Sequence, residues 1–363
     1  MRVIVDVMGG DNAPAELLKG VVAAAKMTNA SYIVVGNEAV IREIATAEGL
    51  DLSRFDVIHT DTVITMEDDP LCVVRSKKNS SMSVGLSLLA EGRGDVFVSA
   101  GNTGALFTGA TLIVRRVRGI QRAAIGSVLP ATTPCLLIDS GANVTVTEEH
   151  LLQFAVMGSA YMQKMFALET PRVGLLNNGT EDCKGTPLQR VANTLLRACD
   201  MINYVGNVEG NAAPFGACDV LVTDGFTGNV FLKTMEGVAK LLLGSVKGVF
   251  TQNGLTKLSA LLVKKSFGEM KKTFDTSEYG GAPFLGISRP VVKAHGSSDA
   301  RAVKNAILAA IRYAESDVIY EIARAAEHFS AWRSAAQNIE KEPQRCEKEP
   351  FSAQEKNQKG EVT

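Results

Sequence analysis

The chain has no CxxC pair, and its six cysteines, at 72, 135, 183, 199, 218 and 346, follow no regular spacing. That excludes a zinc cage built on paired cysteines and a disulfide framework, and leaves reduced thiols as the expected state. No stretch is apolar for the roughly 18 residues that a membrane-spanning helix needs. The N-terminal run MRVIVDVMGGD is broken by Asp6 before it reaches the length of a secretory core, so a soluble, cytoplasmic protein is expected. Neither sign of charge dominates: 38 Lys and Arg stand against 39 Asp and Glu, a net charge of -1. Affinity for a phosphate backbone comes from domain-wide positive charge, so nucleic acid is not an expected partner. Also missing are GxxxxGK followed by Ser or Thr, a GxGxxG after the first strand, a GxSxG elbow and an HExxH pair. Without them the physical basis for binding a nucleoside triphosphate, NAD or zinc is gone, and neither cofactor nor metal is expected.

What is present reads as an α/β protein. Hydrophobic residues make up 46% of the chain and charged residues 21%, ordinary globular values. Short Val/Ile/Leu runs end in Gly-rich turns and are followed by helical periodicity: RVIVDVM before a helix from Ala15 to Met27, SYIVVG before one from about Glu38, and DVFVSAGNTG before one through Val117. The pattern repeats with TPCLLIDSGA before a helix from about Thr147, RVGLLNNG before one ending near Cys199, and DVLVTDGFTGN before one to about Val249. Continuous apolar strands buried on both faces imply a mostly parallel sheet covered by helices. Residues 1–330 are read as one domain, and the tail 331–363, with little apolar content, as a charged, disordered extension.

Polar and small residues gather just after these strands: Asp6, Gly9, Gly10 and Asp11; Ser99, Gly101, Asn102, Thr103 and Gly104; Asn178, Gly179 and Lys184; Asp224, Gly225 and Asn229. Carboxyl ends of parallel strands line a common crevice, so loops distant in sequence are expected to share one anion-binding site. Each residue also has a plain structural duty open to it. Asn102, Thr103 and Asp11 suit helix caps, and Asn229 suits either a cap or an amide donor to a carbonyl oxygen. Lys184 is either a solvated loop lysine or a compact cation for a phosphate or a developing oxyanion. Its neighbour Cys183 has no nearby histidine to serve as base. His295, in KAHGSSDA, is either a ligand contact or a structural residue beside a cap at Ser297 or Ser298. Lys77 and Lys78 form a basic turn. From Gly254 to Thr273, Leu255, Leu258, Leu261 and Leu262 share a helical side with Lys264 and Lys265 nearby, a pattern that fits an anionic membrane surface or a helix-packed dimer.

Taken together, DVMGGD, DDPLCVVRSKKNSSM, SAGNTGA, LIDSGANV, GTEDCKGT, GNVEG, DGFTGNVFLK and AHGSSDARAVKNAI run in order over about residues 1–315. In that series the chain resembles the PlsX-type phosphate acyltransferases of bacterial phospholipid synthesis. The resemblance implies a Rossmann-like three-layer α/β/α fold, related in architecture to phosphotransacetylases and isopropylmalate-type dehydrogenases, and a homodimer. It also implies transfer of a long-chain acyl group from acyl carrier protein to inorganic phosphate. The acyl phosphate would pass to a membrane glycerol-3-phosphate acyltransferase, which would place the protein peripherally on the inner face of the membrane. Lys184 and Asn229 occupy the positions associated with catalysis. The Gly-rich turns with Asp6, Asp11, Ser99, Asn178 and His295 would hold phosphate and thioester. Two departures are Asn211 and Ala212 after GNVEG, where Arg and Asp are more usual, and Val7 in place of Ala. A short-chain phosphotransacetylase using a coenzyme A thioester, and a non-catalytic membrane-surface scaffold, are the competing readings.

Overall fold

A computed structural model describes residues 1–129, 131, 133–254, 256, 259, 260, 263, 265, 268 and 279–336. The N-terminal half alternates strands and helices: β1 (Arg2–Asp6), α1 (Ala15–Ala25), β2 (Ser31–Gly36), α2 (Glu38–Ala47), β3 (Phe55–His59), α3 (Ser81–Ala90), β4 (Val96–Ser99) and α4 (Thr103–Gly109). There follow β5 (Ala124–Leu129), β6 (Cys135–Ile138), α5 (Glu148–Phe166), β7 (Arg172–Asn177), α6 (Pro187–Ala198), β8 (Asn203–Glu209), β9 (Val220–Val222) and α7 (Gly225–Thr251). The last elements are β10 (Ala282–Leu285), β11 (Val291–Lys293), α8 (Ala300–Glu315) and α9 (Val318–Ala336).

The strands are apolar throughout because both faces of the sheet are covered. Along β1, Val3 and Val5 enter one hydrophobic cluster while Ile4 enters another; Phe97 opposes Val96 and Val98 in the same way. That is the two-residue alternation of side chains across a pleated strand. The first cluster is filled from α1, α2, α5, α6, α8 and α9, the second from α3 and α4, and Leu232 of α7 joins a third with Leu129, Leu137 and Leu221. The result is the expected three-layer α/β/α arrangement. Helix α5 is buried along most of its length and is started by a capping box in which Thr147 and His150 satisfy each other's backbone N–H.

The eleven strands run in the order β3-β2-β1-β4-β11-β10-β5-β6-β9-β7-β8. Seven neighbouring pairs are parallel. Three antiparallel pairings, β11 with β10, β10 with β5 and β5 with β6, lie between the two parallel blocks. An odd number of reversals makes those blocks point in opposite senses, so the single crevice expected of one parallel sheet is not how the loops meet. Register brings them together instead. Ser99 lies opposite Lys293 and Lys293 opposite Ala282; two residues further on, Phe284 meets Ile125; and the next residue, Gly126, lies opposite Ile138, itself level with Val222. The carboxyl ends of β4 and β11 thus stand about one residue, roughly 3.3 Å, out of level with those of β6 and β9.

The junction is pinned by Asp139, which is fully buried. Its carboxyl oxygens accept from the backbone N–H groups of Ile125 (3.1 Å), Gly141 (3.1 Å), Ala142 (3.0 Å) and Asn143 (2.6 Å), and from Asn143 Nδ2 (2.8 Å). Ser140 donates to Ile125 O at 2.9 Å, closing β6 onto β5. Helix α4 stops at Gly109 rather than running through Val117: the turn widens to π-helical geometry over Ala110–Val114, and Arg115 leaves it at φ 76°. Replacing Asp139 by Ala should strand several buried donors at once and lower stability by about 3 kcal/mol or more, read as a drop in the urea midpoint. An unchanged midpoint would show that this carboxyl does not hold the junction.

Candidate active site

The turns after β1 and β4 touch. A Cβ on Gly9 would lie 2.7 Å from Gly101 Cα, so glycine is what allows the two backbones to meet. Beneath them Asp6 is buried, accepting from Ser99 Oγ (2.7 Å) and the Met8 N–H (3.1 Å). Burial raises its pKa above the usual carboxylate value, against the opposing hydrogen bonds of Ser81, Ser99, Met8 and Gly9. Ser99 Oγ in turn accepts from Gly101 N at 3.1 Å. Asn102 caps α4 by accepting from Ala105 N (3.0 Å), and its Nδ2 donates to Thr65 O and Met66 O, both at 3.1 Å. Asp6, Ser99, Gly9, Gly101 and Asn102 therefore build the turns. Gly10 carries the left-handed φ of 113° that directs the chain into the loop.

A third segment docks on this pair. Asp11 N donates to Gly296 O at 2.8 Å, and Asn12 Nδ2 donates to Ser297 O (3.1 Å) and Ser298 O (3.2 Å). Asp11 is thus not the cap of α1, which begins after Pro14, and Asp299 rather than Ser297 or Ser298 caps α8 through Ala302 N at 2.8 Å. His295 Nδ1 accepts from the Ser297 backbone N–H at 3.2 Å, which leaves Nε2 as the protonated nitrogen of the neutral ring. Desolvation of the imidazole, then the charge of Lys233, lowers its pKa below the ordinary histidine value.

On the other side, α7 starts from β9. Asp224 is its cap, accepting from Thr227 N at 2.8 Å, so Asn229 is free of capping duty. Its amide Nδ2 donates to Ser140 O at 3.3 Å. Gly141, at φ 148°, makes this approach possible, since a Cβ there would fall 2.7 Å from that nitrogen. Ser127 and Ser140 share a hydrogen bond of 2.8 Å between their hydroxyls.

Helices α4 and α7 stand apart over β5 and β10, and the gap between them is a cleft of about 780 Å³. Its polar lining includes Asp11, Thr103, Ser127, Asn229, Lys293 and His295; Phe107, Ile125, Val128 and Leu232 make it apolar elsewhere. The structure therefore unites Asp11, Thr103, Gly104, Asn229 and His295 from four separate loops. Lys293, Ser127, Ser140 and Lys233 also line it and were not singled out from sequence. The signal available for Lys293 was its position two residues before His295, at the end of an apolar run.

Asn178, Gly179 and Lys184 are not among the described residues lining the cleft. They lie on the loop after β7, the parallel neighbour of β9, and so on the same sheet edge as the head of α7. The Lys184 side chain is 45% exposed, with Nζ 3.7 Å from Glu181 Oε1. Asn207 Nδ2 braces the loop by donating to Glu181 O at 2.9 Å. Cys183 is exposed, and Lys77 is paired with Asp68 at 2.6 Å. Of the segment read as an amphipathic helix, Leu255, Leu258, Leu261, Leu262 and Lys264 lie outside the described residues, while Lys265 is helical and exposed. Among the described residues no group of three or more His, Cys, Asp or Glu is placed to hold a metal, and no helix is long and apolar enough to cross a membrane.

A sequence-family model described as "Fatty acid synthesis protein" matches residues 1–321. A phosphate acyltransferase of Acetivibrio thermocellus is 44% identical over 324 residues, covering 89% of this chain and 95% of that protein. One from Thermotoga neapolitana is 48% identical over 330 residues, covering 90% and 98%. Among solved structures, a phosphotransacetylase from Streptococcus pyogenes superposes with a TM-score of 0.58 at 17% identity, over 86% of this chain and 94% of that one, a likeness of fold.

The lowered pKa of His295 has a direct readout. Its folded value lies below the unfolded one of about 6.5, so as pH falls through that range the unfolded chain binds more protons and stability declines. An NMR titration should place the imidazole midpoint under the ordinary value; a midpoint at or above it would contradict the assigned environment.

Proposed function

The chain belongs to the fatty acid synthesis protein family, the phosphate acyltransferases, and on that premise we propose that it moves a long-chain acyl group from acyl carrier protein to inorganic phosphate. A phosphate oxygen adds to the thioester carbonyl carbon, and the tetrahedral intermediate expels the carrier's sulfur as the C–S bond breaks. The proton lost by phosphate ends on that sulfur, giving acyl phosphate and the free carrier thiol. Phosphate is already an anion, so the protein's task is to hold it in line and stabilise the new oxyanion, with no covalent enzyme intermediate. The observation that carries this reading is the cleft's mixed lining: an apolar wall of Phe107, Ile125, Val128 and Leu232 for an acyl arm, beside the amide of Asn229 and the imidazole of His295 for oxygen atoms.

In this reading Asn229 orients the reacting oxygen and Lys184, reaching in from the rim with Asn178 and Gly179, meets the oxyanion. Thr103, Gly104 and Asp11 shape the phosphate end. The finer partners follow the same logic. Helix α7 exposes Val238, Leu241, Leu242 and Val249, an i, i+3, i+4, i+11 pattern that falls along one side and supports its use as the seat of a second copy in a homodimer. Its continuation over about 250–273 is assigned to an anionic membrane surface, where the product meets a glycerol-3-phosphate acyltransferase. Residues 1–330 are assigned to the acyltransferase domain, with α9 running six residues past that boundary to Ala336, and the remainder to 363 is a charged extension.

Phosphate-dependent release of carrier thiol from a palmitoyl-carrier substrate tests the reaction, with acetyl-coenzyme A expected to be a poor donor. Lys184→Ala and Asn229→Ala should each lower kcat by about a hundred- to a thousand-fold, the usual loss for one oxyanion donor. Near-normal turnover by either variant would remove that residue from the chemistry, and a preference for the acetyl donor would replace the long-chain assignment.

A further inference from the structure

Lys293 ends the three-residue strand VVK at the centre of the sheet. Val291 enters the cluster beneath α3 and α4 whereas Val292 enters the opposite one, so alternation sends Lys293 to the face on which the cleft opens. Only 8% of the residue is exposed, and it lines the cleft together with Asn229 and His295. Its Nζ donates to Ala100 O at 3.0 Å and to Ala294 O. An ammonium has three N–H donors, so two hold the strand ends and one remains. Among the described residues it has no ion-pair partner; the charged groups that face it are Asp6 from β1, Asp11 from the turn beyond, and Lys233 from α7. Its hydrogen bonds go to carbonyl oxygens alone, without a direct bond to either carboxylate, and a buried cation so placed is costly unless an anion joins it.

We propose that Lys293 binds the inorganic phosphate, donating its third N–H to the nucleophile at the place where the amide of Asn229 and the ring of His295 also line the cleft. The proposal rests on the reading that phosphate is the acyl acceptor and adds the group that captures it. Lysine fits the task because its two carbonyl contacts fix a compact charge at the stagger point of the two half-sheets, level with the heads of both walls. Burial lowers its pKa to about 8, with Asp6 and Asp11 pulling the other way and Lys233 adding to the depression. Binding needs the ammonium form, so affinity for the phosphate dianion should weaken by up to about tenfold per pH unit above that pH.

Calorimetric titration with inorganic phosphate, in the absence of any thioester, separates this proposal from the reading beneath it. Lys293→Met, which keeps the apolar stem, should weaken phosphate binding by about 10- to 150-fold, the worth of a hydrogen bond to a charged group. The same variant should raise the KM for phosphate by a similar factor while leaving the KM for the acyl donor unchanged. Lys293→Arg should restore part of the affinity and remove the break near pH 8, since a guanidinium stays charged. Phosphate affinity in the unaltered protein that is constant from pH 7 to 9.5, or binding by Lys293→Met as tight as by the parent, would overturn the assignment of Lys293. A parent protein that binds no phosphate at any pH would overturn the acceptor reading itself.

Discussion

The site depends on a stagger between two half-sheets that point in opposite directions. Had the opposed blocks been paired along their whole length, the turns after β1 and β4 would lie at one end of the molecule and those after β6 and β9 at the other. Offset in register, with Ser99 and Val222 about one residue apart in level, they bring their carboxyl ends to a common line at the middle. Everything that follows is local: α4 and α7 leave this line as opposing walls, and the short strands β5, β10 and β11 form the floor between them.

The polar groups buried at that line divide the work of holding it. Asp139 gathers donors from β5 and from the turn after β6; Asp6 and Ser99 tie β1 to β4; Lys293 ties the carbonyls of Ala100 and Ala294. Each is a satisfied or nearly satisfied network, which is the condition under which buried polarity is tolerated. Among the residues that line the cleft, Lys293 shares those duties while Asn229 is nearly free of them. Asn229 makes one long bond to Ser140 O, and helix capping is left to Asp224 and Asp299.

Much of this was legible as pattern. Strands such as SYIVVG and VFVS are apolar at every position because both faces are covered, and that shows in the residues themselves. The Gly-rich turns that follow them were readable as close-approach points, and Gly9 and Gly141 serve as such. What could not be read is relative direction. A buried strand looks the same whether its neighbour is parallel or antiparallel, so the reversal at β10 and β5 left no local trace. APFL and VVK are too short for periodicity, and Pro283 argues against a central strand. Lys293 was missed for the same reason: a lysine closing a brief apolar run resembles a solvated turn until the surrounding strands bury it. Lys184, by contrast, drew notice through its Gly-rich loop, whose lysine stands exposed outside the residues that line the cleft.

The central position of β10 and β11 has a consequence for biosynthesis. These two strands sit between blocks that are already complete in sequence by Ser99 and Val222, yet the chain supplies them only after residue 281. During translation the earlier blocks emerge with their joining edges uncovered, and the pairing of β4 with β11 spans nearly two hundred residues. Contacts of such long sequence separation form late. The cleft is therefore assembled late, and a nascent chain released before that hairpin emerges lacks the strands that form its floor.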